Sequence, residues 1–262
     1  MIRSSFGRDS SSYNRATPKA LLLCAVALGL GVSVGLGQPA PDTILLPDSL
    51  GPLRPGYHLA FGSSTDNIYV ASESSDIIVV DGETYQRIKR IYTGAGVGGA
   101  LLVSQHNKLY CSYPMQGRIG VIDCATNDVI GSIDVGGRPK LLCYGSGSDK
   151  LYCGDSLNGK VTVIDCAADT VRKVISTQYK PTALAYDPTS NKVYAGTRDA
   201  LLGISCATDS IVANLDSIKY VSGLCLNKRR QKLYVVGRRQ NKDYPDTIHV
   251  VSPQSDSVIA RM

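Results

Sequence analysis

The sequence predicts an all-β chain made of repeated four-stranded antiparallel units, and three observations carry that reading. A short signature recurs five times: Asp66-Asn67-Ile68-Tyr69, Asn107-Lys108-Leu109-Tyr110, Asp149-Lys150-Leu151-Tyr152, Asn191-Lys192-Val193-Tyr194 and Gln231-Lys232-Leu233-Tyr234. Its tyrosines stand 41, 42, 42 and 40 residues apart. Two further markers keep the same period. A small or apolar residue lies nine positions before each tyrosine (Ala60, Leu101, Cys143, Ala185, Cys225). A second motif follows the first three tyrosines as Val79-Val80-Asp81, Val121-Ile122-Asp123 and Val163-Ile164-Asp165, and persists weakly as Gly203-Ile204-Ser205 and Val250-Val251-Ser252. Beyond residue 37 no segment keeps apolar residues at helical spacing. The runs are short, β-branched and alternating, with Gly, Asn, Asp and Ser turns between them. Four such strands in each period of forty-odd residues is the spacing of a β-propeller blade. A β-solenoid needs a shorter period and an immunoglobulin-like string a longer one.

In chain order, residues 1–19 carry Arg3, Arg8, Arg15 and Lys19 against Asp9, and Ala20–Gly37 is an uncharged apolar run. A basic start, an apolar stretch and small residues at Gly35 and Gly37 predict a secretory signal cleaved after Gly37, with an uncleaved membrane anchor as the alternative. Residues 38–55 read as an exit linker with a strand at about 43–46. Blades are expected at 56–92, 98–133, 139–175, 180–215 and 221–261. In the third, Leu141–Tyr144, Lys150–Cys153, Lys160–Asp165 and Thr170–Ile175 read as the four strands, A to D from the inside outward. The 43–46 strand resembles the D strand of a sixth blade whose other strands are missing. Two readings stay open: a chain truncated at its C-terminus, or five blades that close with 43–46 against the fifth. An unclosed sheet edge would favour oligomer formation.

The chain has 262 residues, 43% hydrophobic and 19% charged, which describes a folded globular protein rather than a disordered one. Basic residues outnumber acidic ones by 28 to 22, and half of that excess sits before residue 38. The remainder is too small to imply a polyanionic partner. With three histidines and no C-x-x-C, neither a metal site, a c-type haem nor a redox motif is expected, and no cofactor is implied.

Units such as Arg138-Pro139-Lys140-Leu141-Leu142-Cys143, running on to Lys150-Leu151-Tyr152-Cys153, and Lys180-Pro181-Thr182-Ala183-Leu184-Ala185, running on to Lys192-Val193-Tyr194, resemble the YVTN-type β-propeller repeat of bacterial and archaeal surface and periplasmic proteins. The resemblance covers about residues 54–262. It departs from the family in the naming motif, because Val70-Ala71-Ser72 and Cys153-Gly154-Asp155 lack the family's Asn after the strand-B tyrosine. The resemblance implies an exported propeller at the cell surface or in the periplasm. Family members serve as surface-layer components, binding modules and scaffolds, so membership selects no activity.

Seven cysteines follow residue 37, at repeat positions that other blades fill with Val, Ala, Leu or Gly, so buried thiols are expected, with a disulfide between neighbouring blades as the alternative. Asp81, Asp123 and Asp165 are expected to cap the turn after strand C. Of the histidines, His106 falls in an A–B turn and His249 inside a strand, and His58 opens strand A near a channel mouth. Arg54, Arg138 and Lys180 each precede a proline at the junction between blades, where they could ring the channel with His58 and bind a carboxylate, phosphate or acidic glycan. Tyr57, Tyr92, Tyr179 and Tyr220 near those junctions would add stacking surface. Two basic runs, Lys228–Lys232 and Arg238–Lys242, flank one strand and so face opposite ways, which disfavours a nucleic-acid surface. The expected function is a non-catalytic binding module for an envelope protein or glycan. The alternatives are a lactonase-like or quinoprotein-like propeller enzyme and a self-associating envelope scaffold.

Overall fold

The computed structural model describes residues 58–73, 75–237 and 247–262, which form a five-bladed array of the β-propeller type. The predicted signal segment, the 43–46 strand and the 238–242 basic run lie outside the described residues. Each blade is a four-stranded antiparallel meander. Blade one is β1 (His58–Gly62), β2 (Asn67–Ala71), β3 (Asp76–Asp81) and β4 (Arg87–Tyr92). Blade two is β5 (Gly99–Val103), β6 (Lys108–Tyr113), β7 (Arg118–Asp123) and β8 (Asp128–Asp134). Blade three is β9 (Pro139–Gly145), β10 (Lys150–Asp155), β11 (Lys160–Asp165) and β12 (Thr170–Ser176). Blade four is β13 (Ala183–Asp187), β14 (Lys192–Gly196), β15 (Leu201–Ser205) and β16 (Ser210–Leu215). Blade five is β17 (Val221–Asn227), β18 (Lys232–Gly237), β19 (Thr247–Ser252) and β20 (Ser257–Arg261). The one helical element among the described residues is a 3-10 turn at Ser104–His106, and none of them forms a helix long and apolar enough to cross a membrane.

The innermost strands of neighbouring blades pack on each other in chain order: β1 on β5, β5 on β9, β9 on β13 and β13 on β17. The outermost strands are solvent-facing, with Val174, Val212 and Ile259 about half exposed (52%, 52% and 50%). Close inner edges with splayed outer ones make each blade a wedge. Apolar residues of facing sheets interdigitate between blades. Tyr152, Val161 and Val163 of blade three meet Val193, Ala195, Ile204 and Cys206 of blade four, for example. Each of the three middle blades therefore buries one face on its predecessor and the other on its successor.

The repeat signature has a local physical cause. Its first residue (Asp66, Asn107, Asp149, Asn191, Gln231) has φ of 54°, 50°, 52°, 47° and 50°, the left-handed region that Asn and Asp tolerate better than other side chains. That residue closes the A–B turn, and in four blades its carbonyl accepts the backbone N–H of the residue after strand C (Gly82, Cys124, Cys166, Cys206). Directly across strand A from each tyrosine sits the small or apolar residue: Ala60, Leu101, Cys143, Ala185 or Cys225. A ring on one strand requires limited volume opposite it, which accounts for the nine-residue spacing. Every blade also has a register shift at the same place in the strand C–strand D ladder, where a bulge increases the twist of the outer strand.

The blades are tied together by a repeated side-chain latch. In the first four blades the hydroxyl of the strand-B tyrosine donates to the residue that ends the C–D turn of the next blade. The pairs are Tyr69 to Asn127 (2.7 Å), Tyr110 to Asp169 (2.7 Å), Tyr152 to Asp209 (3.4 Å) and Tyr194 to Asp256 (2.6 Å). These acceptors all have positive φ, between 47° and 58°. Where the acceptor is Asp, a lysine two residues before the tyrosine joins it: Lys108 to Asp169, Lys150 to Asp209 and Lys192 to Asp256. Where it is the neutral Asn127, that position holds Asn67 instead. Burial and hydrogen bonds to the neighbouring blade push all four phenols well above their ordinary pKa, so they remain donors.

Of the lysine latches the Lys150–Asp209 pair is the most enclosed, with side chains 9% and 6% exposed against 17% and 28% for Lys108–Asp169. Asp209→Ala should therefore destabilise the protein by about 3–5 kcal/mol, because it strands a buried lysine. Asp169→Ala should cost less, and Tyr110→Phe about 1 kcal/mol. Urea unfolding of the three variants against the parent checks this order.

Candidate binding cleft

The strands are occupied with each other, so the groups free for chemistry lie on loops. Asp81, Asp123 and Asp165 behave as the sequence indicates. Each accepts backbone N–H groups of its own C–D turn, from Glu83 and Thr84, from Ala125, and from Ala167 and Ala168. All seven described cysteines are free, six of them buried and Cys225 exposed. Burial pushes the Cys143 and Cys153 thiols up to about 12, far from a reactive thiolate.

A cleft of about 480 Å³ opens between the third and fourth blades, where the inter-blade links meet the B–C turn of blade four. Its walls come from Gln178 and Tyr179, from Thr197 and Asp199, and from Asn214, Asp216 and Lys219; Ala200, Leu202 and Ile211 give it an apolar floor. Local hydrogen bonds hold these walls. The Tyr179 N–H donates to the Thr177 carbonyl (2.7 Å) across Gln178, whose φ is 61°, while the Thr177 hydroxyl donates to the Tyr179 carbonyl (2.8 Å). An i to i+2 turn with a positive central φ is strained, and here the tie turns the Tyr179 ring out, 44% exposed. On the facing wall the Thr197 hydroxyl accepts the Ala200 N–H (3.1 Å) and donates to its carbonyl (2.9 Å), fixing the turn that carries Asp199. Interaction with the Asp199 carboxylate raises the Tyr179 pKa. Beside them the Arg198 guanidinium lies 5.7 Å from the centre of the Tyr220 ring, a cation–π distance. With two carboxylates and one lysine among its lining residues, the cleft suits a hydroxylated neutral or basic ligand better than an anion.

The sequence-predicted cations are placed differently. Arg54 and Tyr57 lie outside the described residues. Arg138 is exposed, and its backbone is clamped, its N–H donating to Asp155 (3.0 Å) and its carbonyl accepting from the Ser156 N–H (2.9 Å). Lys180 is exposed between Tyr179 and Pro181. His58 is half-buried at the start of β1, and desolvation, reinforced by Lys140, lowers its pKa, so near neutral pH it offers hydrogen bonds rather than charge. None of Arg138, Lys180 or His58 lines the cleft; of the junction tyrosines, Tyr179 does. Sequence reasoning missed Asp199, Asn214 and Asp216, which have no repeat signature of their own. It also missed the partner of His106, whose Nε2 lies 2.7 Å from Asp149 on the next blade. Among the described residues no group of three or more His, Cys, Asp or Glu side chains is placed to hold a metal ion.

No family model matches the chain, and no curated protein does. Among solved structures it is similar to the hydrazine synthase of Kuenenia stuttgartiensis, at 17% identity over 86% of this chain and 69% of that one, with a TM-score of 0.69. It is also similar to the dihydro-heme d1 dehydrogenase NirN in complex with DHE, at 15% identity over 78% of this chain and 46% of that one, with a TM-score of 0.66. The chain thus spans less than half of the second protein's length. At such identities the likeness establishes the fold alone, and that fold is the β-propeller.

His249 is buried in β19, its Nδ1 has no partner among the described residues, and desolvation lowers its pKa from 6.5. The unfolded chain therefore binds a proton below about pH 6.5 that the folded chain refuses. Stability should fall as pH drops through that value, and His249→Gln should flatten the slope between pH 7 and 5. Thermal midpoints measured across that range check both statements.

Proposed function

We propose that this chain is an exported propeller of the YVTN type that acts as a non-catalytic binding module, with a glycan or protein of the cell envelope as its ligand. The N-terminal sequence supports export, through the basic start and the apolar run at Ala20–Gly37. The observation that carries the binding reading is the cleft between blades three and four. An exposed tyrosine ring faces hydrogen-bonding side chains over a small apolar floor, a combination that lets a sugar stack one face and bond its hydroxyls. Acidic ligands belong instead to the exposed cations Arg138 and Lys180 at the blade junctions, with Arg54 and His58 as further members of that set.

A second reading, a propeller enzyme, is favoured by the names of the two structural neighbours, a synthase and a dehydrogenase. It requires turnover in addition to binding.

Titration calorimetry with neutral and acidic envelope oligosaccharides separates these readings. Tyr179→Ala and Asp199→Ala should each weaken binding of a neutral oligosaccharide about tenfold, roughly 1.4 kcal/mol. Arg138→Ala combined with Lys180→Ala should affect acidic ligands only. Equal affinity in parent and cleft variants would reject the cleft as the site, and conversion of the bound ligand to product would move the chain to the enzyme reading.

A further inference from the structure

Blade five repeats the donor half of the latch without an acceptor. Tyr234 lies opposite Cys225 on β17 and Val250 on β19, as Tyr152 lies opposite Cys143 and Val163. Lys232 precedes it as Lys150 precedes Tyr152. Yet the tyrosines of the first four blades are fully buried, whereas Tyr234 is only partly so. Neither Tyr234 nor Lys232 has a side-chain hydrogen bond or ion pair among the described residues. Other positions on that face are open as well, although Val250 opposite the ring is buried. Cys225 is exposed where Cys143 is buried, Ile248 is 39% exposed where Val161 is 0%, and Val236 is 37% exposed at the position of buried Gly154.

The first blade does not offer the complement. Its C–D turn has the same positive φ at its last residue, 59°, but that residue is Tyr85, which brings no carboxylate or amide acceptor. Its own face on that side is already buried, with Ile78 at 1% and Val80 at 2%. A second copy of this chain is equally unsuited. Its turns ending in Asn127, Asp169, Asp209 and Asp256 are each engaged by the preceding blade, and its remaining turn is again the one with Tyr85. The four filled latches also specify the missing acceptor. Lysine is paired with Asp three times, and the one Asn acceptor, Asn127, follows a blade that has Asn67 at the lysine position, so Lys232 calls for an aspartate.

We propose that the far face of blade five is a docking surface for a partner blade of the same four-stranded type, whose C–D turn ends in an aspartate at positive φ. That carboxylate would sit between Lys232 and Tyr234, while the partner's apolar face covers Cys225, Val236 and Ile248. The contact requires no ligand in the cleft, so it stands or falls separately from the binding reading.

Cys225 is a built-in reporter of this contact. In the full chain, alkylation with N-ethylmaleimide followed by peptide mass mapping should label Cys225 quickly and leave the six buried cysteines unlabelled. The chain is then extended after Met262 with a second copy of residues 177–215, whose turn ends in Asp209. A parallel version carries residues 135–175, ending its turn in Asp169, and guards against an added blade that fails to fold. Labelling of Cys225 should slow at least tenfold in an extended chain. Asp209→Ala in the appended copy should restore most of the rate, and Lys232→Asn together with Asp209→Asn in that copy should recover protection, because Asn67 and Asn127 occupy these two positions at the first junction. Unchanged labelling in both extended chains, or protection indifferent to the appended aspartate, would overturn the proposal. So would protection of Cys225 in the unextended chain that grows with protein concentration, because that assigns the face to a second copy.

Discussion

The residue that ends each C–D turn governs how these blades assemble. It must adopt a left-handed conformation to close its own turn, and it must present an oxygen to the tyrosine of the blade before it. Asn and Asp meet both demands with one short side chain. A phenol fully buried between sheets without such an acceptor would lose hydration and gain nothing in return. The tyrosine and its acceptor are therefore selected together, although they stand in different blades.

Charge follows the same logic. Lys108, Lys150 and Lys192 reach the aspartates that also receive their tyrosines, and their ammonium groups bond the carbonyls of Cys166, Cys206 and Pro253 in the same turns. A buried ion pair repays its desolvation only when its remaining donors and acceptors are satisfied, and these carbonyls help to do that. Arg172 adds a further contact to Asp209 at 3.1 Å, on the most enclosed pair of the series. The first junction, with Asn67 and Asn127 in place of Lys and Asp, keeps the tyrosine bond without the charge. The cysteines fit the same picture, since Cys124, Cys166 and Cys206 occupy the tight corner where the C–D turn hydrogen-bonds back to the A–B turn.

With both faces of the middle blades committed to their neighbours, the free side chains of those blades lie mainly on links and turns. The cleft between blades three and four depends on two small devices, the strained Thr177–Tyr179 turn and the Thr197–Ala200 turn. Together they aim Tyr179 and Asp199 at one another. The exposed cations at neighbouring junctions are rigidly mounted in at least one case, since the Arg138 peptide is held by Asp155 and Ser156. A fixed backbone with a free side chain suits a surface that meets a charged ligand without reorganising.

Much of the fold was legible in the chain because its determinants are local. Alternation of apolar residues marks strands, and Asn or Asp before Lys-hydrophobic-Tyr marks a left-handed turn residue. A small residue nine positions upstream marks the place opposite an aromatic ring. Repetition then made five blades countable, and the capping role of Asp81, Asp123 and Asp165 followed from turn chemistry alone. The latch acceptors Asn127, Asp169, Asp209 and Asp256 end corresponding turns, 42, 40 and 47 residues apart, but nothing local links them to a tyrosine in another blade. Nor could the chain order of residues say that His106 meets Asp149, that Tyr179 shares a cleft with Asn214 and Asp216, or that Cys225 is exposed where Cys143 at the same repeat position is buried. Those facts depend on which sheets face each other and which face is left without a neighbour. Sequence periodicity thus determines what each blade is, and only packing between blades decides what each side chain touches.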